Sequence, residues 1–228
     1  MSWVLDNLDL IWSLTLVHLR QSLIPIVLGF VISVPIGWIA WRFRLLRSPI
    51  VIVTGLLYTI PSLALLAILP GVIGVPAFSE VNLILALTIY AVALLVRSVV
   101  DGFDSVDADV RLAAAAMGFG GPRRFFTVDL PLAGPVLLAG LRVTAASTIA
   151  LATVGVLVGV TNLGYLFTNG LQRRIVAEVF AGMVAVALIA LVVDLALVLL
   201  GRVLMPWLRA MATRRRGIRI GLGAEATT

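Results

Sequence analysis

Cysteine and lysine are absent from the 228 residues, and histidine occurs once, at His18. Without cysteine there are no disulfides, thiolate metal sites or thiol nucleophiles. Without lysine a phosphate loop of the form GxxxxGK[ST] is impossible. One histidine leaves no credible Ser-His-Asp arrangement, and the scattered carboxylates offer no metal-ligand cluster. Charge of either sign is also scarce, at 12% of residues, where a soluble domain carries about 25%. With 61% hydrophobic residues and a mean hydropathy of +1.16, the sequence reads as an integral membrane protein. It leaves no room for a nucleotide-binding domain or a large external one. No catalytic residue, metal or cofactor is expected, so the chain is not read as an enzyme.

The 17 basic residues are all arginine and give a net charge of +6. They gather at the ends of apolar runs, which points to membrane topology and away from nucleic acid. The first 20 residues lack a basic stretch and a small-residue cleavage site, so no cleaved signal peptide is expected. Residues 1–22 are expected to form an outer or interfacial segment, with 8–20 either a short amphipathic helix on the membrane surface or a part joined to the first span, and His18 solvated there. A transmembrane domain then covers 23–207, with spans at 23–41, 50–69, 83–100, 133–160 and 179–205, and a tail at 208–228. Trp38 and Trp41 followed by Arg42, Arg44 and Arg47 mark a cytoplasmic boundary. Five spans put the N-terminus outside and the C-terminus in the cytoplasm. That leaves only Arg20, Arg173 and Arg174 of the 17 arginines outside.

Several residues within the spans invite a role. Pro61 should kink the second span and free a carbonyl one turn earlier, with Thr59 and Ser62 beside it. The kink either lines a cavity or is purely structural. Tyr58, next to it, is the better candidate for the wall of a cavity that accepts a quaternary ammonium. Arg142 should lie near the cytoplasmic face and snorkel. Asp194, deep in the fifth span, should face the bundle or pair with something, either as a gating or helix-pairing contact or as a buried structural group. Thr144 to Ala150 is a small-residue run that lets helices approach closely.

The longest middle stretch that cannot sit in a bilayer is Asp107 to Pro135, which overlaps a cytoplasmic loop over 101–131. Ala113 to Ala116 predict a short helix over 110–117. Gly118, Gly120, Gly121 and Pro122 stop it. Small side chains followed by a glycine turn make a low-relief surface that another protein can approach closely.

That loop resembles the cytoplasmic signature of permease subunits of binding-protein-dependent ABC importers: E-A-A-x-x-x-G, nine residues, then I-x-L-P. Ala113, Ala114 and Gly118 match the first part, and Val128, Leu130 and Pro131 fit the second, Val128 standing for the isoleucine. Leu112 stands at the glutamate position. Thr59 to Leu66, TIPSLALL, is similar to the osmoprotectant permeases, the group handling glycine betaine, carnitine, choline and proline. So are Met117, Gly118, Leu130, Pro131, Leu132, Pro135, Ala139, Gly140 and Arg142. Of that group's GAGGLG-like turn, GVTNLG keeps Gly159, Leu163 and Gly164. The resemblance covers about Leu23 to Leu204. It implies an all-α, five-transmembrane-helix MetI-like core in the plasma membrane that pairs with a second permease, the same or paralogous. It implies a coupling helix over Val110 to Gly121, with Ala113, Ala114, Ala115, Met117, Gly118, Gly121, Leu130 and Pro131 at the contact with a separate ATP-binding subunit. A solute-binding protein outside would deliver the cargo. Tyr58, Thr59, Pro61, Ser62 and Asp194 are the candidates for the path or gate. Two other readings remain: an importer for amino acids such as methionine, and a stand-alone secondary transporter or membrane scaffold.

Overall fold

The computed structural model describes residues 2–207; the expected tail over 208–228, with Arg209, Arg214, Arg215 and Arg216, lies outside the described residues. Among the described residues the chain is helical, with no strand. The elements are α1 (Ser2–Asp6), α2 (Leu8–Arg42), α3 (Arg44–Thr59), α4 (Ser62–Ile73), α5 (Glu80–Asp104), α6 (Ala108–Ala116) and α7 (Gly121–Arg124). A π-helical turn (Phe125–Asp129), α8 (Leu130–Ala152), a 3-10 stretch (Thr153–Val158), α9 (Gly164–Arg173) and α10 (Val176–Leu204) follow. Four helical stretches are long and apolar enough to cross a membrane, and the bent pair α3 and α4 makes up to five.

The centre of the bundle is α5, the most buried of the long helices. Its packing partners are chosen by small side chains. On α2, a Cβ built at Gly29 would stand 2.5 Å from Ala91 Cβ, and one at Gly37 would stand 2.5 Å from Val99. On α8, a Cβ at Gly140 would stand 2.4 Å from Ser98 Cβ. Helices that touch at this range gain dispersion contacts, the main attraction left between helices in lipid. In the 144–150 run, Thr144, Ala145 and Thr148 are buried in the bundle while Ala146 and Ala150 stay exposed.

Three expectations are corrected. Of the two readings of 8–20, the structure has the one joined to the first span: it begins α2, a single helix of 35 residues, or about 50 Å at 1.5 Å per residue. His18 is fully buried, not solvated. Its Nε2 lies 3.0 Å from the Ile149 carbonyl of α8; a carbonyl only accepts, so the ring donates. A polar residue inside an apolar helix needs such a partner, and composition alone could not show that one was waiting. The second correction concerns the span over 50–69, which is broken: α3 and α4 meet at 109°. The third is the stretch left between the expected spans, over 161–178, which contains α9.

Candidate functional site

The α6 end of the molecule is built around one buried carboxylate. Asp129 is 2% exposed and accepts from Arg111 Nε at 2.8 Å and from Arg124 Nε at 3.2 Å. Arg111 also donates to the Val106 carbonyl at 3.0 Å and to the Phe103 carbonyl, at the end of α5. Its guanidinium lies 4.5 Å from the centre of the Trp41 ring of α2. Trp41 packs on Phe103, and Phe103 and Trp38 on Phe125. A single side chain thus joins α6 to α2, α5 and the head of α8. Asp129 closes the π-helical turn, whose wide ring ends with the Leu130 amide donating to the Phe125 carbonyl. Such turns re-aim side chains, and here the turn sets a carboxylate against two arginines.

On this mount, α6 presents the surface predicted from its alanines. Asp107 caps its start, accepting from the Asp109 amide at 2.9 Å. At its other end Phe119 N donates to Ala114 O at 3.1 Å and Gly118 N to Ala115 O at 3.0 Å. This is a Schellman closure with Gly118 at φ +80°. Ala113, Ala115, Met117, Gly118 and Gly121 are exposed, Met117 by 70%. Ala114 is buried against the bundle, and Leu130 and Pro131 are half-buried at the start of α8. Leu112, at the glutamate position, is exposed and makes no anchor. The anchor is Asp129 with its two arginines, whose sole mark in the sequence is an acidic residue directly before an apolar run.

The candidate path residues fall into two places. Tyr58, Thr59 and Pro61 are exposed at the break between α3 and α4, with Ser62 half-buried. The Tyr58 ring stands edge-on to Tyr90 of α5, centroids 6.0 Å apart. Tyr90 donates to the Ile60 carbonyl at 2.5 Å, satisfying the backbone that the break exposes. Tyr90→Phe keeps the ring contact and removes this bond. It should lower stability by about 1–2 kcal/mol, read as a lower thermal midpoint in detergent, with Tyr58→Phe close to neutral.

Asp194 sits elsewhere, on α10, which packs chiefly on α9, α8 and α2. It accepts from Arg142 Nε at 2.6 Å and from Arg142 Nη2 at 2.8 Å. The expectation that Arg142 snorkels to the surface is therefore corrected: it turns to Asp194. An apolar groove of about 1300 Å³ between α2, α8 and α10 is lined by none of Tyr58, Thr59, Pro61, Ser62 or Asp194. At the far end of the bundle a second polar cluster joins α2 to the turn before α9. Asn162 donates to Gln21 Oε1 at 3.2 Å and to the Ala152 carbonyl at 2.8 Å.

Residues 29–210 match the model of the family described as binding-protein-dependent transport system inner membrane component. The chain belongs to this family. Among curated relatives, the osmoprotectant import permease protein OsmW of Salmonella typhimurium is 29% identical, covering 84% of this chain and 90% of its own. The choline transport system permease protein OpuBB of Bacillus subtilis is 31% identical, over 83% of this chain and 86% of its own. The carnitine transport permease protein OpuCB of Listeria monocytogenes is 32% identical, over 79% and 81%. In fold the chain is similar to the inward-facing MetNI methionine ABC transporter, with a TM-score of 0.77 at 20% identity over 87% of this chain and 98% of that one. The protein is thus a multi-pass inner-membrane component with a MetI-like helical core.

Proposed function

We propose that this inner-membrane component forms the translocation path of an ATP-driven importer for osmoprotectants such as glycine betaine, choline, carnitine and proline. The energy comes from a separate ATP-binding subunit, which docks on α6 from the cytoplasm. A second permease, identical or paralogous, completes the path, and an external binding protein delivers solute. The N-terminus lies outside and the α6 end inside. The observation that carries this reading is the exposed low-relief face of α6, fixed through Arg111 and Asp129 to three membrane helices. A push on α6 is transmitted to α2, α5 and α8 together, because a buried and paired charge does not slide. The substrates in the relatives' names support the osmoprotectant cargo. The methionine transporter, at 20% identity, shares the fold alone.

Gly118→Trp tests the docking. A Cβ at Gly118 meets nothing within 4 Å, so the bundle should still insert. A non-glycine residue at φ +80° is strained by about 1–2 kcal/mol, and the indole would stand on the proposed contact face. Solute-stimulated ATP hydrolysis in the reconstituted complex should fall to the unstimulated level. Stimulation equal to wild type would refute α6 as the coupling element.

A further inference from the structure

We infer that the Arg142–Asp194 pair is a transit site for zwitterionic solutes, Arg142 taking the solute carboxylate and Asp194 its cationic group. The inference rests on the osmoprotectant reading above and names the part of the path that meets the solute's charges. Arg142 is 12 residues into α8 and Asp194 is 10 residues from the end of α10. At 1.5 Å per residue both lie about 15–18 Å from the α6 end of their helices. Centred on a hydrocarbon core about 30 Å thick, the 29-residue α10 places Asp194 inside the core, nearer its α6 side. In the single chain the pair is not enclosed: its side chains are 42% and 33% exposed. Charges at that depth face protein or a water-filled path, not lipid.

The surroundings indicate which side. Leu141 and Val193, each one residue away, line the apolar groove, and the charged pair does not. Beside Arg142 the uncovered face of α8 carries Ala139, Val143, Ala146 and Ala150. Small residues there leave room for a second permease to approach, and with it a shared path between the two.

The pair has the chemistry for exchange. Arg142 uses Nε and Nη2 in the planar fork that suits any carboxylate, and Nη1 takes no part in the pair. A betaine or carnitine carries both a carboxylate and a fixed cation. Its carboxylate replaces Asp194 on the fork while its cation stands against Asp194. No net charge is left unpaired inside the membrane before, during or after the exchange. Choline has only the cation, so it can compete with Arg142 for Asp194 but gains nothing from the fork.

The test compares glycine betaine and choline uptake in proteoliposomes holding the permease, its ATPase and its binding protein. Arg142→Gln should cut betaine uptake by at least about tenfold, the scale of one charge-assisted contact, and choline uptake far less. In Arg142→Gln/Asp194→Asn the need for structural pairing is gone, and betaine uptake should remain low relative to choline. Equal loss of both solutes in assembled Arg142→Gln complex overturns the proposal, as does equal recovery of both in the double variant. Either result makes the pair a clasp between α8 and α10. Where the single variant fails to assemble, the double variant decides. A wild-type complex that moves neither solute overturns the osmoprotectant reading and this site with it.

Discussion

Asp129→Ala should destabilise the bundle by about 3–5 kcal/mol, the cost of leaving buried charge without its partner. Two arginines lose their shared acceptor, and both are more than two-thirds covered by protein. Arg111 would keep its bonds to the Val106 and Phe103 carbonyls, so α6 should stay attached while its orientation loosens. Asp129→Asn fills the same space and retains an acceptor, so its loss should be smaller. Arg111→Ala should fall between them, since Arg124 still neutralises Asp129 but the tie to α2 and α5 is gone. Two measurements separate the consequences. The thermal midpoint of the purified permease should rank the variants Asp129→Ala, Arg111→Ala, Asp129→Asn from least to most stable. Solute-stimulated ATP hydrolysis at a temperature where all remain folded should drop most in Asp129→Ala and Arg111→Ala, the two variants that loosen α6. A midpoint for Asp129→Ala equal to wild type would show that the bridge bears no weight, and the rigid-mount account of α6 would go with it.

How much of this was legible in the residues depends on the range of the forces involved. Apolar runs of membrane-spanning length and the alanine run of α6 announce themselves locally, because burial in lipid and helix propensity act along the chain. The Gly118 stop was legible for the same reason: the left-handed Schellman position suits glycine. What was not legible is pairing across the chain. His18 reads as a surface residue until the Ile149 carbonyl, 131 positions away, is seen beside it. Arg142 reads as a snorkelling arginine until α10 brings Asp194 to it from 52 positions away. The break at Pro61 was visible as a proline, but neither its 109° bend nor the Tyr90 hydroxyl that reaches the Ile60 carbonyl from another helix was. Asp129 belongs with these: an acid in a loop and an acid in a buried bridge look alike until both arginines are placed.

Gly164→Ala should be among the most damaging single-methyl changes in the chain, because the atoms it meets are backbone. A Cβ there would lie 2.1 Å from the Thr153 carbonyl oxygen and 2.9 Å from Asn162 Oδ1. A side chain can rotate out of such a contact; the Thr153 carbonyl belongs to the 3-10 stretch and moves only with it. Moving it disturbs Asn162, which accepts from the Gly164 amide at 2.8 Å while holding Gln21 and the Ala152 carbonyl. The clasp between α2, the end of α8 and α9 would open as one unit. Overpacking against rigid neighbours costs about 1–3 kcal/mol and sometimes more, so a clear fall in thermal midpoint is expected, with faster hydrogen exchange in α9. Gly55→Ala supplies the contrast. It sits inside α3 with nothing within 4 Å of the added Cβ, where alanine gains about 0.5–1 kcal/mol of helix propensity over glycine. The two substitutions add the same methyl group, and their midpoints should move in opposite directions. If both rise, close approach at Gly164 is not what holds the far end of the bundle together.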